Sequence, residues 1–165
     1  MSGAEEQTVE KPLKEFLTGS NKVVVAGVGN PFRKDDFVGV EIVRKLKTKV
    51  SDHVFLIEAE TIPESYMQKI VAFKPTHVLL VDAGIINKQP GNAMLARPEQ
   101  LIRKSSISTH TLPLRIFCDY ITKTANAKIA LLIIQPMNVD FGEGLTPELK
   151  ETAETLATLL QSLLP

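Results

Sequence analysis

Val23-Val24-Val25-Ala26-Gly27-Val28-Gly29-Asn30-Pro31-Phe32-Arg33-Lys34-Asp35-Asp36 reads as a strand, a turn and an acidic pair in that order. Val23 to Ala26 is continuously apolar, as a strand buried on both faces must be. The Gly/Asn/Pro cluster behind it is a tight turn, and Asp36 opens an amphipathic segment. An acidic pair is thereby delivered to the rim of a sheet, where α/β proteins keep their chemistry.

The rest of the chain repeats that alternation. Strands are predicted over 23–26, 53–58, 78–81 and 128–135, with a further one over 92–96 at an edge. Helices are predicted over 36–49, 63–73, 112–124 and from 146 to about 164. Val38, Ile42 and Leu46 fall on one face of the first of these helices. Pro63 suits a first helical turn, and Thr146-Pro147-Glu148 supplies an N-cap, a first-turn proline and an early acid. The order implies an α/β fold: a three-layer αβα sandwich around a mostly parallel sheet of about five strands. Residues 1–20 read as an N-terminal extension, flexible over 1–9 with a short helix over 12–17. Residues 21–165 read as a single α/β domain.

Composition narrows the function. The 165 residues suffice for one substantial core. Net charge is zero and no basic stripe is present, which argues against a nucleic-acid partner. No apolar run is long enough to span a membrane, and the polar residues 1–7 do not resemble a secretory signal. A lone cysteine, Cys118, rules out an internal disulfide and a cysteine-based zinc cluster; its apolar neighbours mark it as core. A cytoplasmic protein is expected.

Three residues are candidates for chemistry by position. Asp36 follows the first strand, Asp82 ends the third in Val81-Asp82-Ala83-Gly84, and His110 lies in Ser108-Thr109-His110-Thr111 before a helix. Carboxyl ends of neighbouring parallel strands share one edge, so the three can meet there. Two carboxylates and an imidazole suit nickel, zinc, cadmium or a similar divalent ion, with a position left open for catalysis. Without metal, two close carboxylates share a proton and activate water. Each residue also has a plainer reading: Asp36 as a helix N-cap, Asp82 as a turn residue. His53 and His77 read as solvated strand starts. The Gly27 to Pro31 turn is neither a dinucleotide fingerprint nor a P-loop, because the third glycine and the Gly-Lys-Ser/Thr ending are missing. No serine-hydrolase elbow is present.

At these residues the chain resembles the [NiFe]-hydrogenase maturation endopeptidases. Gly27 to Gly39 matches the family's opening motif, Leu80-Val81-Asp82-Ala83 its second, and Ser108 to Leu114 its histidine motif. Gln135-Pro136 and Phe141-Gly142-Glu143-Gly144-Leu145-Thr146-Pro147 resemble the segment before the last helix. This last motif is nearest the branch that processes formate-hydrogenlyase-type hydrogenases. The resemblance implies a fold like that of peptidyl-tRNA hydrolases and nucleoside phosphorylases. It also implies an endopeptidase that cuts a C-terminal extension from the hydrogenase large-subunit precursor once the metal centre is assembled. The family's metal-contacting residues map onto Asp36, Asp82 and His110; some relatives carry glutamate where Asp36 stands. These three are the expected metal and catalytic residues.

The same resemblance implies nickel carried by the substrate and none resident in the resting enzyme. Water is then activated by the nickel or by the two aspartates in the aspartic-peptidase manner. Gly27 and Gly29 are expected to permit close backbone approach. Loops 85–91 and 136–144 are expected to line the substrate cleft. The expected partner is the precursor's C-terminal segment, met by a monomer with no membrane insertion. Competing readings are another hydrolase on a similar framework and a metal-sensing chaperone that binds the precursor without cutting it.

Overall fold

The computed structural model describes residues 2–60, 64–103 and 114–165. Five strands form one sheet in the order β2-β1-β3-β5-β4. They are β1 (Val23–Val28), β2 (Val54–Ala59), β3 (His77–Ala83), β4 (Ala93–Ala96) and β5 (Lys128–Ile134). β1 pairs in parallel with β2 and β3, and β3 with β5; only β4 runs antiparallel, at the edge. The αβα architecture and the largely parallel sheet are as expected.

Alternation along the strands builds two cores. Val23 and Val25, Leu79 and Val81, and Ala130 and Leu132 point to one face. Three helices cover it: α1 (Ser2–Leu17), α2 (Val38–Leu46) and α6 (Pro147–Leu163). Val24, Leu80, Leu131 and Ile133 point the other way, toward α3 (Glu64–Phe73) and α5 (Leu114–Ala125). Both faces are buried, which is why β3 and β5 read as continuous apolar runs.

Three local readings change. The helix expected over 12–17 begins at Ser2 and contains Pro12. Its residues Val9, Leu13, Phe16 and Leu17, spaced to one helical face, are buried in the first core. The helix expected over 36–49 is split: a 3-10 turn spans Lys34–Phe37 and α2 only Val38–Leu46, ending where Lys47 turns extended (ψ 138°). A short helix unforeseen from sequence, α4 (Pro98–Arg103), follows β4; it is too brief for periodicity to register. Pro63, expected at a first helical turn, lies outside the described residues.

Candidate active site

The strand order contains a switch point of the kind at which open α/β sheets bind ligands. The chain leaves β1 for β2 on one side, and leaves β3 for β4 and β5 on the other. The connections therefore diverge between the carboxyl ends of β1 and β3, the usual binding position in an open α/β sheet. Asp36 follows β1, and Asp82 is the penultimate residue of β3.

Three glycines let the chain close on this point. A Cβ on Gly27 would lie 2.3 Å from the Gly39 carbonyl oxygen, and one on Gly29 would lie 2.2 Å from that of Asp36. A Cβ on Gly39 would lie 2.1 Å from the Val81 carbonyl oxygen. All three distances are far inside van der Waals contact, and the obstacle each time is backbone. The 3-10 turn and the start of α2 are thus pressed onto β1 and β3. The close approach expected of Gly27 and Gly29 is met, and Gly39 makes a third contact of the same kind.

Asp36 and Asp82 are both buried. Asp36 does not cap a helix: α2 follows Phe37 with no side-chain cap. Its Oδ2 instead reaches back across the turn to accept the Asn30 backbone N–H at 2.9 Å. Asp82 is not a turn residue but lies within β3, paired with Ile133 of β5. Gly27 stands opposite Val81, so Asp82 lies one residue beyond that pair, toward the sheet's carboxyl edge. Asp36 sits just ahead of the α2 N-terminus, whose dipole favours a carboxylate. His110 lies outside the described residues. Among the described residues no three histidine, cysteine, aspartate or glutamate side chains converge as a metal site. The acids contribute oxygen donors of the kind a hard or borderline divalent cation takes.

Asp35 has a role that the sequence reading missed. It is buried and turned away from its neighbour, into the loop that follows β5. Its Oδ2 accepts the backbone N–H groups of Met137 and Asn138, each at 3.0 Å. Its Oδ1 accepts the Thr146 N–H at 2.7 Å, and the Thr146 hydroxyl lies 3.0 and 2.9 Å from the two oxygens. The Asp35 N–H returns a bond to the Asn138 carbonyl at 3.1 Å. Thr146 does stand at the N-cap of α6, but its hydroxyl serves Asp35 rather than the helix. Lys34 N–H to Gly142 O (3.0 Å) and Gly142 N–H to Phe32 O (2.8 Å) add a bridge between the same loops. The first and last sequence motifs are therefore one physical unit. No residue pattern announced this clasp, because three of the four groups that donate to Asp35 are backbone amides.

Around the acids the loops expose apolar side chains. Phe32, Ile85, Met137, Val139 and Phe141 all follow β1, β3 or β5 at the carboxyl edge, and Phe141 is 84% exposed. Gln135 ties two of these loops together, its side-chain oxygen accepting the Ile86 N–H at 2.8 Å. Cys118 is buried in the second core, and burial pushes its thiol up to about 12, which leaves it inert. His53 is exposed as expected. His77 is not solvated: it is 4% exposed because Phe16 of α1 packs edge-on to it at 5.1 Å.

Known proteins similar to this chain form a consistent set. The family model described as hydrogenase maturation protease matches residues 40–162. A candidate hydrogenase maturation protease of Methanocaldococcus jannaschii is 32% identical over 160 residues, covering 92% of this chain and 94% of its own. The hydrogenase 3 maturation protease of Escherichia coli is 28% identical over 138 residues, covering 84% of this chain and 88% of its own. The crystal structure of the [NiFe] hydrogenase maturation protease HycI from Thermococcus kodakarensis superposes with a TM-score of 0.84 at 37% identity. It covers 93% of this chain and 98% of that one.

Proposed function

This chain belongs to the hydrogenase maturation protease family, and from that premise we propose that it removes the C-terminal extension of a [NiFe]-hydrogenase large-subunit precursor after nickel insertion. The nickel arrives with the substrate and licenses the cut. Asp36, Asp82 and His110 are its proposed contacts, with Asp36 and Asp82 nearest the chemistry. What supports the reading is a single observation: two buried carboxylates flank the switch point between β1 and β3.

The reaction is peptide hydrolysis. The oxygen of water bonds to the scissile carbonyl carbon, the C–N bond breaks, and a proton reaches the departing amine. A pair of carboxylates can take the proton from water and hand one to the leaving group. A divalent cation held by the substrate supplies positive charge to the developing oxyanion. The resting enzyme then has no resident metal, and the site is completed only by a loaded precursor. The proposed working unit is a cytoplasmic monomer. No described helix is long and apolar enough to cross a membrane.

Mass spectrometry of a nickel-loaded precursor tests this directly. Wild-type protein should remove a C-terminal peptide, and a nickel-free precursor should stay whole. Asp36→Asn, Asp82→Asn and His110→Ala should each slow trimming by roughly 10²–10⁴-fold with an unchanged circular dichroism spectrum. A precursor of unaltered mass after incubation with wild type makes the chain a binding protein instead. Trimming of nickel-free precursor at the same rate removes nickel from the mechanism.

A further inference from the structure

Asp35 and Asp36 are consecutive, both buried, and aimed at different things. Asp36 turns back to Asn30, and Asp35 holds the loop between β5 and α6 at three backbone amides and one hydroxyl. That loop carries Met137, Val139 and Phe141, all exposed. A surface loop gains little from burying a carboxylate at its root unless its position matters, because desolvating the charge is costly. Here the cost is offset by donors on both oxygens. The outcome is a loop whose apolar tip is fixed, through one residue, to the acid next in sequence.

We propose that Asp35 is a positioning residue, registering the apolar loop 137–141 against Asp36 so that a precursor segment docked on Met137, Val139 and Phe141 meets the acid. The proposal rests on the reading of this chain as a maturation protease. The occupant is an extended stretch of the precursor, because the rim is continuous with the site where its peptide bond is cut.

The chemistry of the clasp supplies a sharp perturbation. Both Asp35 oxygens accept hydrogen bonds from N–H donors on opposite sides. In Asp35→Asn, either orientation of the amide sets an NH₂ against an N–H. Thr146→Val keeps the shape at the start of α6 but removes the hydroxyl, and Thr146→Ser restores it.

Two measurements test the proposal: amide hydrogen exchange at Met137 and Asn138, and equilibrium affinity for the nickel-loaded precursor alongside kcat. In Asp35→Asn we expect exchange and the dissociation constant each to rise about tenfold or more, with a smaller fall in kcat at saturation because a segment docked out of register meets Asp36 less often. Thr146→Val should move both the same way by less, and Thr146→Ser should match wild type. If Asp35→Asn does not fold, the two Thr146 variants decide by the same order. Faster exchange with unchanged affinity overturns the proposal. So does a collapse of kcat at unchanged affinity, which would put Asp35 in the reaction itself. Affinity is read without cleavage, so a wild type that binds but never trims would sink the proposed reaction while this proposal is still judged.

Discussion

The two ends of the sheet use the same residue types to opposite effect. At the amino end, Phe16 lies between the Arg97 guanidinium, 4.9 Å from its ring centre, and His77. Thr76 gathers the backbone there: its hydroxyl oxygen accepts the Asn21 N–H at 3.0 Å and donates to the Lys22 carbonyl at 3.0 Å. Lys22 caps the Phe73 carbonyl at 3.2 Å while lying over the Phe73 ring. At the carboxyl end, phenylalanines are exposed and the buried polar groups are carboxylates. One end is closed for stability; the other is held open with its acids fixed underneath. The same division holds in α/β barrels, where one face carries the chemistry and the other carries stability.

The same substitution at each end should separate these roles. Phe16→Ala empties a buried ring and should cost about 3–5 kcal/mol in chemical denaturation. Trimming per folded molecule should stay at the wild-type rate. Phe141→Ala removes a ring already in water and should shift stability by less than about 0.5 kcal/mol. It should nevertheless weaken precursor binding by roughly tenfold, as loss of an interface aromatic does. Equal stability losses from the two variants would dissolve the distinction between the ends.

Gly39→Ala strikes the opposite feature of the carboxyl end, its tightness beneath the open rim. The added methyl would lie 2.1 Å from a backbone oxygen of β3, and no side-chain rotation relieves that. A loss of about 2–3 kcal/mol is expected on denaturant unfolding. Because relief requires α2 to lift from β3, the turn that carries Asp36 moves relative to the strand that carries Asp82, and trimming should fall even where the chain is fully folded. Full activity in the folded variant would mean that the two acids need not be held together.

What could be read from the sequence follows from these contrasts. β1, β3 and β5 were legible because a strand buried on both faces keeps an unbroken apolar middle, although polar His77 and Asp82 hid the two ends of β3. Asp36 and Asp82 were legible as strand-exit acids, since topology alone sends parallel strand ends to one edge. Asp35 was not, because its partners Met137 and Thr146 lie more than a hundred positions away and backbone amides carry no residue signature. His77 was misread for the same reason. Its burial comes from Phe16 on a helix that local sequence marked as an extension. Residues 1–9 read as flexible and Pro12 as the start of a short helix, and only the spacing of Val9, Leu13, Phe16 and Leu17 pointed to a longer, packed one.

His77 offers the mildest test of independence between the ends. Burial first, then the Lys128 and Arg97 charges, push its imidazole below the usual 6.5, against an opposing pull from the Phe16 backbone. Its Nδ1 stays within 2.8 Å of the Thr76 hydroxyl. The unfolded chain therefore takes up a proton near pH 6.5 that the folded chain refuses. The contribution to stability is complete above that pH and is lost as pH falls below it, until the folded imidazole also protonates. Melting temperature should decline from neutral toward mildly acidic pH, and His77→Phe should flatten the part of that decline due to this site. The pH profile of precursor trimming by folded protein should be the same in both, because the proton is refused at the amino end while the acids proposed to react lie at the other. An equally steep decline in His77→Phe would assign the acid sensitivity elsewhere. A shifted trimming profile would instead show that the two ends of the sheet are coupled.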